Sequence, residues 1–278
     1  MKIIFILLVS ILFLGCSPKK LFPTDNTKYD SIKNYNYVIS EHNFNSKDST
    51  MLYGLHIKSK SKSKGMIVVA NGMYKNMSYR FTQWLWIADN GYDVFIFDYR
   101  GYGESKDLAD IYGMRDDVNA AIEYAHLLND TNNMLIIGQS MGGSFVIDAM
   151  AKKDYDYISL IVADSTFIGF DSILNTYLLK SIIFIPLFWL PYTFVPDDIN
   201  SIENVNQLKK PILFISGNSD WIVSSRNSKT LYQKANNKKA IWIVESAGHV
   251  ESFNNVKLRK DFLDLLENKI ILENKTFK

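Results

Sequence analysis

The sequence predicts an α/β fold with a mostly parallel central sheet and helices on both faces. Three observations predict it. Short, continuous apolar runs of strand length recur along the chain, as expected for strands buried on both faces. Amphipathic stretches of helical length separate them, which argues for parallel strands joined by helical crossovers. The chain has 278 residues of which 47% are hydrophobic, enough for one sizeable core.

The start of the chain is set apart from that fold. Lys2 is the only charge before an apolar run from Ile3 to Leu14, broken by Ser10 and followed by Gly15 and Cys16. A positive start, a short apolar core and a small residue read as an export signal over residues 1–15. The run is too short for an ordinary membrane-spanning helix. Cys16 is the only cysteine, so no intrachain disulfide can form. A lone cysteine at this place resembles the lipobox of bacterial lipoproteins, whose signal is removed and whose cysteine becomes the lipidated first residue. That family usually has Leu three residues before the cysteine; here Phe13 stands there, with Leu12 one further back. The resemblance implies an exported protein held on a membrane of the cell envelope through Cys16. A signal anchor, or a plain signal peptide with a chance cysteine, is the alternative. Residues 16–36 are expected to be a tether, because Ser17 to Lys28 is polar and carries two prolines.

The domain is expected over residues 37–278. Strands are predicted at Tyr37 to Ile39, Met51 to Ile57, Met66 to Ala70, Asp93 to Phe97, Met134 to Ile137, Ile158 to Ala163, Ile212 to Ile215 and Ile241 to Val244. Helices are predicted at Tyr79 to Asn90, Asp116 to Asn129, Met141 to Lys153, Ser225 to Asn236 and Phe253 to Leu272. Residues 166–207 break this rhythm, being too long for a simple connection. Their middle, Tyr177 to Val195, is dense in Leu, Ile, Phe and Trp and is cut by Pro186 and Pro191. An insertion of one or two helices over the sheet's edge is expected there; the alternative is a helix pair within the core. A net charge of +2 with no long basic run implies no nucleic-acid partner.

The most informative stretch is Gly138-Gln-Ser140-Met-Gly142, between an apolar run and a helix-forming segment. In a G-x-S-x-G turn from strand to helix the serine takes a strained backbone, and the positions two before and two after must be small. The hydroxyl is then held out at a helix N-terminus. A serine is a weak nucleophile unless a base takes its proton, and the base needs an orienting acid. Of the four histidines, His42 is expected in a polar loop, His56 in a strand and His126 in a helix. His249 follows the run Ile241 to Val244, at a strand's carboxyl end, where ligands of α/β sheets bind. His249 is therefore the predicted base. The acid should fall between Ser140 and His249 in the chain. Asp220, after Ile212 to Ile215, is favoured; Asp164 also ends a run and competes, and Asp197 and Asp198 in the insertion are weaker candidates. The backbone N–H groups of Met141, directly after the nucleophile, and of Met73, in the loop after Met66 to Ala70, are the expected oxyanion donors.

With these residues in place the chain resembles the α/β-hydrolase superfamily over about residues 40–272. The resemblance is carried by Asn71-Gly72, by the run Asp98 to Ser105 with Arg100, Gly101 and Gly103, by the Ser140 turn, by Gly217 to Asp220 and by Gly248-His249. It is similar in pattern to the branch of monoacylglycerol lipase-like, serine aminopeptidase-like and BEM46-like proteins. That branch usually carries His-Gly where this chain has Asn71-Gly72; an asparagine there is expected to hydrogen-bond the loop in the histidine's place. The resemblance implies an esterase- or lipase-like serine hydrolase, acting through an acyl-enzyme on a small-molecule or lipid-like ester without metal or organic cofactor. It implies that residues 166–207 form a cap that sets substrate choice. A peptidase or thioesterase on the same fold is the nearest alternative, and a catalytically dead, lipid-anchored binding protein the next.

Overall fold

The computed structural model describes residues 22–179, 196–267 and 271–278. The export signal, Cys16 and the middle of the insertion lie outside these residues. Nine strands among the described residues form one sheet: β1 (Ile39–Asn45), β2 (Met51–Ile57), β3 (Met66–Ala70), β4 (Asp93–Asp98), β5 (Met134–Gln139), β6 (Ile158–Asp164), β7 (Ile212–Gly217), β8 (Lys239–Val244) and β9 (Lys275–Phe277). Their spatial order is β1-β2-β4-β3-β5-β6-β7-β8-β9. β2 runs against both its neighbours, and every other pairing is parallel. After β3 the chain adds β4 on one side and then crosses to β5 on the other. That reversal makes a crevice at the carboxyl ends of β3 and β5, the position where open α/β sheets bind ligands.

The helices among the described residues are α1 (Met77–Arg80), α2 (Leu85–Asp89), α3 (Ile111–Leu128), α4 (Met141–Lys152), α5 (Phe170–Leu179), α6 (Ser201–Asn204), α7 (Arg226–Lys234) and α8 (Val256–Glu267). Strand side chains alternate between two apolar layers. Met66, Val68 and Ala70 of β3 pack on the side of α3 and α4, and Ile67 and Val69 on the side of Trp84, Leu85 and α8. This is the period of two expected of a strand covered on both faces.

Several boundaries differ from expectation, each for a local reason. The first strand runs over Ile39–Asn45 rather than Tyr37 to Ile39. As an edge strand it keeps a polar sequence, which reads as loop. His42 accordingly lies in β1 and not in a loop, its ring within 2.8 Å of Ser40 Oγ and 3.1 Å of Tyr124 Oη. The helix expected over Tyr79 to Asn90 is α1 and α2 with a 3₁₀ turn, Phe81–Trp84, between them. α3 begins five residues before Asp116, because the Asp110 carboxylate caps it by accepting the Gly113 N–H at 2.8 Å. β9, three residues long, has no apolar run to announce it.

The polar segment expected to be a tether is docked from Phe22 onward. Phe22 is buried, its ring 6.5 Å from that of Phe145 and 6.4 Å from that of Phe170. The Asp25 carbonyl accepts the Gly103 N–H at 3.0 Å and the Asn76 side-chain amide at 2.9 Å. The flanks of the insertion also join the domain: Phe170, Ile173, Ile199 and Val205 lie in the same core layer as α4.

Candidate active site

The turn between β5 and α4 holds Ser140 at φ 51°, ψ −117°, a left-handed conformation that non-glycine residues seldom adopt. Its neighbours show why glycine flanks it. A Cβ on Gly138 would lie 2.5 Å from the Gly143 Cα, and one on Gly142 would lie 2.5 Å from the Asn71 carbonyl oxygen. The turn is pinned from below, where the Ser140 N–H donates to the Asp164 carbonyl at 2.8 Å. Met141 opens α4, so its N–H lies in the first turn, where helix donors have no intrahelical acceptor.

His249 lies in the loop after β8, with Nε2 at 2.9 Å from Ser140 Oγ and Nδ1 at 2.7 Å from Asp220 Oδ2. With the Nδ1–H donating to the carboxylate, Nε2 is free to accept from the serine hydroxyl. Asp220 follows β7 and is buried; its other oxygen accepts the N–H groups of Ile222 at 2.9 Å and Val223 at 2.8 Å. Both carboxylate oxygens are thus engaged, which fixes the direction in which Asp220 faces the imidazole. Gly217 lies against the Ala247 carbonyl, so the loops that carry the acid and the imidazole are in contact.

The loop after β3 runs over Ser140. A Cβ on Gly72 would lie 3.2 Å from Ser140 Cβ and 3.9 Å from Ser140 Oγ. Met73, next in that loop, is half-buried and packs on the core layer of α3 and α4. The hydrogen bond expected from Asn71 to this loop is not made. Both polar side-chain atoms of Asn71 are buried with no hydrogen-bond partner among the described residues.

The other sequence candidates lie apart from this constellation. His56 in β2 binds Asp93 at 2.7 Å, and the His126 ring on α3 stacks 3.7 Å from Tyr157. Asp198 accepts from Tyr112 Oη at 2.9 Å, in the turn Asp197–Ile199 of the insertion. Asp164 ends β6 beneath the site, where its carboxylate accepts from the Gln139 side-chain amide at 3.0 Å; the hydrogen bond to the imidazole is made by Asp220. Among the described residues no three His, Cys, Asp or Glu side chains gather as metal ligands.

This geometry has counterparts in known proteins. Residues 61–188 match the family model described as serine aminopeptidase, S33. The uncharacterized protein YfhR of Escherichia coli strain K12 is 29% identical over 220 residues, covering 76% of this chain and 74% of that one. Protein bem46 of Schizosaccharomyces pombe is 32% identical over 133 residues, 47% of this chain and 42% of its own. An esterase of Pyrococcus furiosus superposes with a TM-score of 0.70 at 20% identity, covering 89% of this chain and 98% of that one. The chain has the α/β-hydrolase fold, and its sequence is similar to that of α/β-hydrolase superfamily members. In this hydrolase the family-model match takes in the Ser140 turn, while Asp220 and His249 lie beyond it.

Electrostatics separate the hydrolase's buried carboxylates. Burial pushes the Asp164 carboxyl up to about 6, against the pull of its Gln139 hydrogen bond and of His249. Burial likewise pushes Asp98, at the end of β4, up to about 7, although the Met77 N–H donates to it at 2.7 Å. Sequence reasoning missed Gln139 and Ser165 as parts of the hydrolase's site. Ser165 has φ 54° and its Oγ accepts the Val250 N–H, next to His249, at 3.2 Å. Its signal in the sequence is only its place after a strand end that already carries Asp164.

Proposed function

We propose that this hydrolase cleaves a carboxylic ester by acyl transfer through Ser140, His249 and Asp220. The observation that carries the reading is the unbroken line of contacts from Asp220 Oδ2 through the His249 ring to Ser140 Oγ, 2.7 and 2.9 Å. Ser140 Oγ attacks the acyl carbon while His249 Nε2 takes its proton. The oxyanion receives the N–H groups of Met141 and Met73, and Asp220 stabilises the imidazolium. His249 then returns the proton to the departing alcohol. Water, deprotonated by the same imidazole, releases the acyl group and restores Ser140. The likeness to an esterase of Pyrococcus furiosus supports an ester over other acyl bonds. The apolar sequence of Tyr177 to Val195 supports an acyl or lipid-like substrate, which such a cap can bury.

A fluorophosphonate probe tests the reading. It should label the folded wild type and not Ser140→Ala; a folded wild type that stays unlabelled would favour the binding-protein alternative. Hydrolysis of p-nitrophenyl esters of rising chain length should peak beyond acetyl, and a preference for acetyl defeats the lipid-like substrate. The family model described as serine aminopeptidase favours peptidase chemistry as the second reading; faster turnover of aminoacyl anilides than of any ester would establish it. We also propose export and membrane attachment through lipidated Cys16. A palmitate analogue should label the wild type but not Cys16→Ser, and equal labelling of both ends that proposal.

A further inference from the structure

Three loops must meet for the proposed chemistry; the acid and imidazole loops are bonded to each other, the Ser219 N–H donating to the Ala247 carbonyl at 3.1 Å, but the nucleophile turn lies two strands from the acid loop. The nucleophile turn follows β5, the acid loop β7 and the imidazole loop β8. Between β5 and β7 lies β6, whose last residue is Asp164. Asp164 and the residue after it reach both ways. Toward the nucleophile, the Asp164 carbonyl accepts the Ser140 N–H at 2.8 Å, and its carboxylate accepts from the Gln139 side chain at 3.0 Å. Toward the imidazole, Ser165 Oγ accepts the Val250 N–H at 3.2 Å. The Ser165 hydroxyl closes the circuit by donating to the other Asp164 oxygen at 3.3 Å.

The backbone at these contacts shares a positive φ. Ser140, Ser165 and Val250 have φ of 51°, 54° and 54°. For valine, branched at Cβ, a left-handed φ is a genuine outlier, and such conformations persist only where surrounding bonds over-determine them. The N–H of each of the three is bonded: Ser140 to the Asp164 carbonyl, Ser165 to the Ile215 carbonyl at 2.8 Å, and Val250 to Ser165 Oγ. Asp164 and Ser165 are wholly buried.

We propose that Asp164 and Ser165 are positioning residues that hold Ser140 and His249 in register, with the Asp164 carboxylate acting on the imidazole through its field. This rests on the ester-hydrolase reading, in which Asp220 is the acid. A hydroxyl that donates to a carboxylate is a stronger acceptor, so the Asp164 charge tightens the hold of Ser165 on the imidazole loop. The ionisable group that faces Asp164 is His249, from the loop after β8; its other near neighbours, Gln139, Ser165 and Ser252, are neutral. An anion there favours the imidazolium.

The test uses Asp164→Asn, which keeps an acceptor for Gln139 but removes the charge, and Ser165→Gly, which suits a left-handed φ but removes the hydroxyl. Asp164→Asn should move the acid limb of the kcat/KM profile down by about half a pH unit, because the imidazole loses a neighbouring anion. Ser165→Gly should keep its thermal midpoint and its KM while kcat falls about tenfold, the signature of misplacement rather than unfolding. An unmoved acid limb in Asp164→Asn, or wild-type kcat in folded Ser165→Gly, overturns the proposal; if Asp164→Asn does not fold, Ser165→Gly decides alone. If the folded wild type neither hydrolyses esters nor takes the fluorophosphonate, the ester reading fails. NMR titration of the His249 ring in wild type and Asp164→Asn then still decides this proposal, with coincident curves against it and a downward shift in its favour.

Discussion

At Asp220 a single carboxylate meets two demands. One oxygen is held by the Ile222 and Val223 N–H groups and the other by the His249 ring. Asn at this position would offer an amide to the Nδ1–H or force the wrong tautomer. Asp220→Asn is therefore expected to lower kcat by about 10,000-fold at unchanged thermal stability, measured by ester turnover. Near-normal turnover would move the acid to Asp164. Gly72 makes a second prediction. A methyl group there would lie 3.2 Å from Ser140 Cβ, too close for relaxed contact. Gly72→Ala should cost about tenfold in kcat, through displacement of Ser140 or of the loop above it. Wild-type kcat in that variant would show that the loop yields freely.

Arg100 ties elements together beneath the rim. Its guanidinium is buried and binds Asp117 of α3 at 2.8 Å and Asp48, in the turn between β1 and β2, at 2.7 Å. The Arg100 hydrogen bond holds the Asp48 carboxyl down at about 2. Asp117 is fully buried, so Arg100→Met would leave its charge without a cation, with the residue-100 N–H still donating to it. A loss of about 3–5 kcal/mol is expected in urea unfolding, and Asp117→Asn added to it should recover part of that loss. The docked N-terminal strap depends on packing instead. Phe22→Ala should cost about 3 kcal/mol and open residues 22–36 to protease. Unchanged cleavage would mean that the Asp25 and Asn76 bonds alone hold the strap.

Across the whole molecule, stability should fall as pH rises from weakly acidic to weakly basic. Asp98 and Asp164 have carboxyls pushed up by burial, to about 7 and about 6. A carboxyl raised in the folded state favours folding fully below its unfolded value, near 3.8, and that contribution is lost as pH climbs through the folded value. Asp98→Asn keeps an acceptor for the Met77 N–H and removes the titration. The difference in unfolding free energy between pH 5 and pH 8 should shrink by about 2 kcal/mol in this variant, read from urea titrations at the two values. Identical pH dependence in both proteins would show that Asp98 is solvated.

Much of this fold and site was legible because local pattern reports local burial. β3 runs over Met66–Ala70 as its unbroken apolar run predicts, and β4 to β8 each contain the run that predicted them. Gly138 and Gly142 announce the Ser140 turn because a Cβ at either would strike backbone. The sequence alone thus determined the succession of strands β2 to β8 along the chain, the strained serine and the imidazole that follows a strand end. Asp164 ends β6 and Asp220 lies just past the end of β7, both between Ser140 and His249, and chain order admits either. Only tertiary structure separates them, since the choice depends on a distance between loops that are remote in sequence. The docking of Phe22, the polar edge strand β1 and the latch from Ser165 to Val250 were decided the same way. Each is a contact between distant segments, and periodicity along one segment carries no record of what lies across from it.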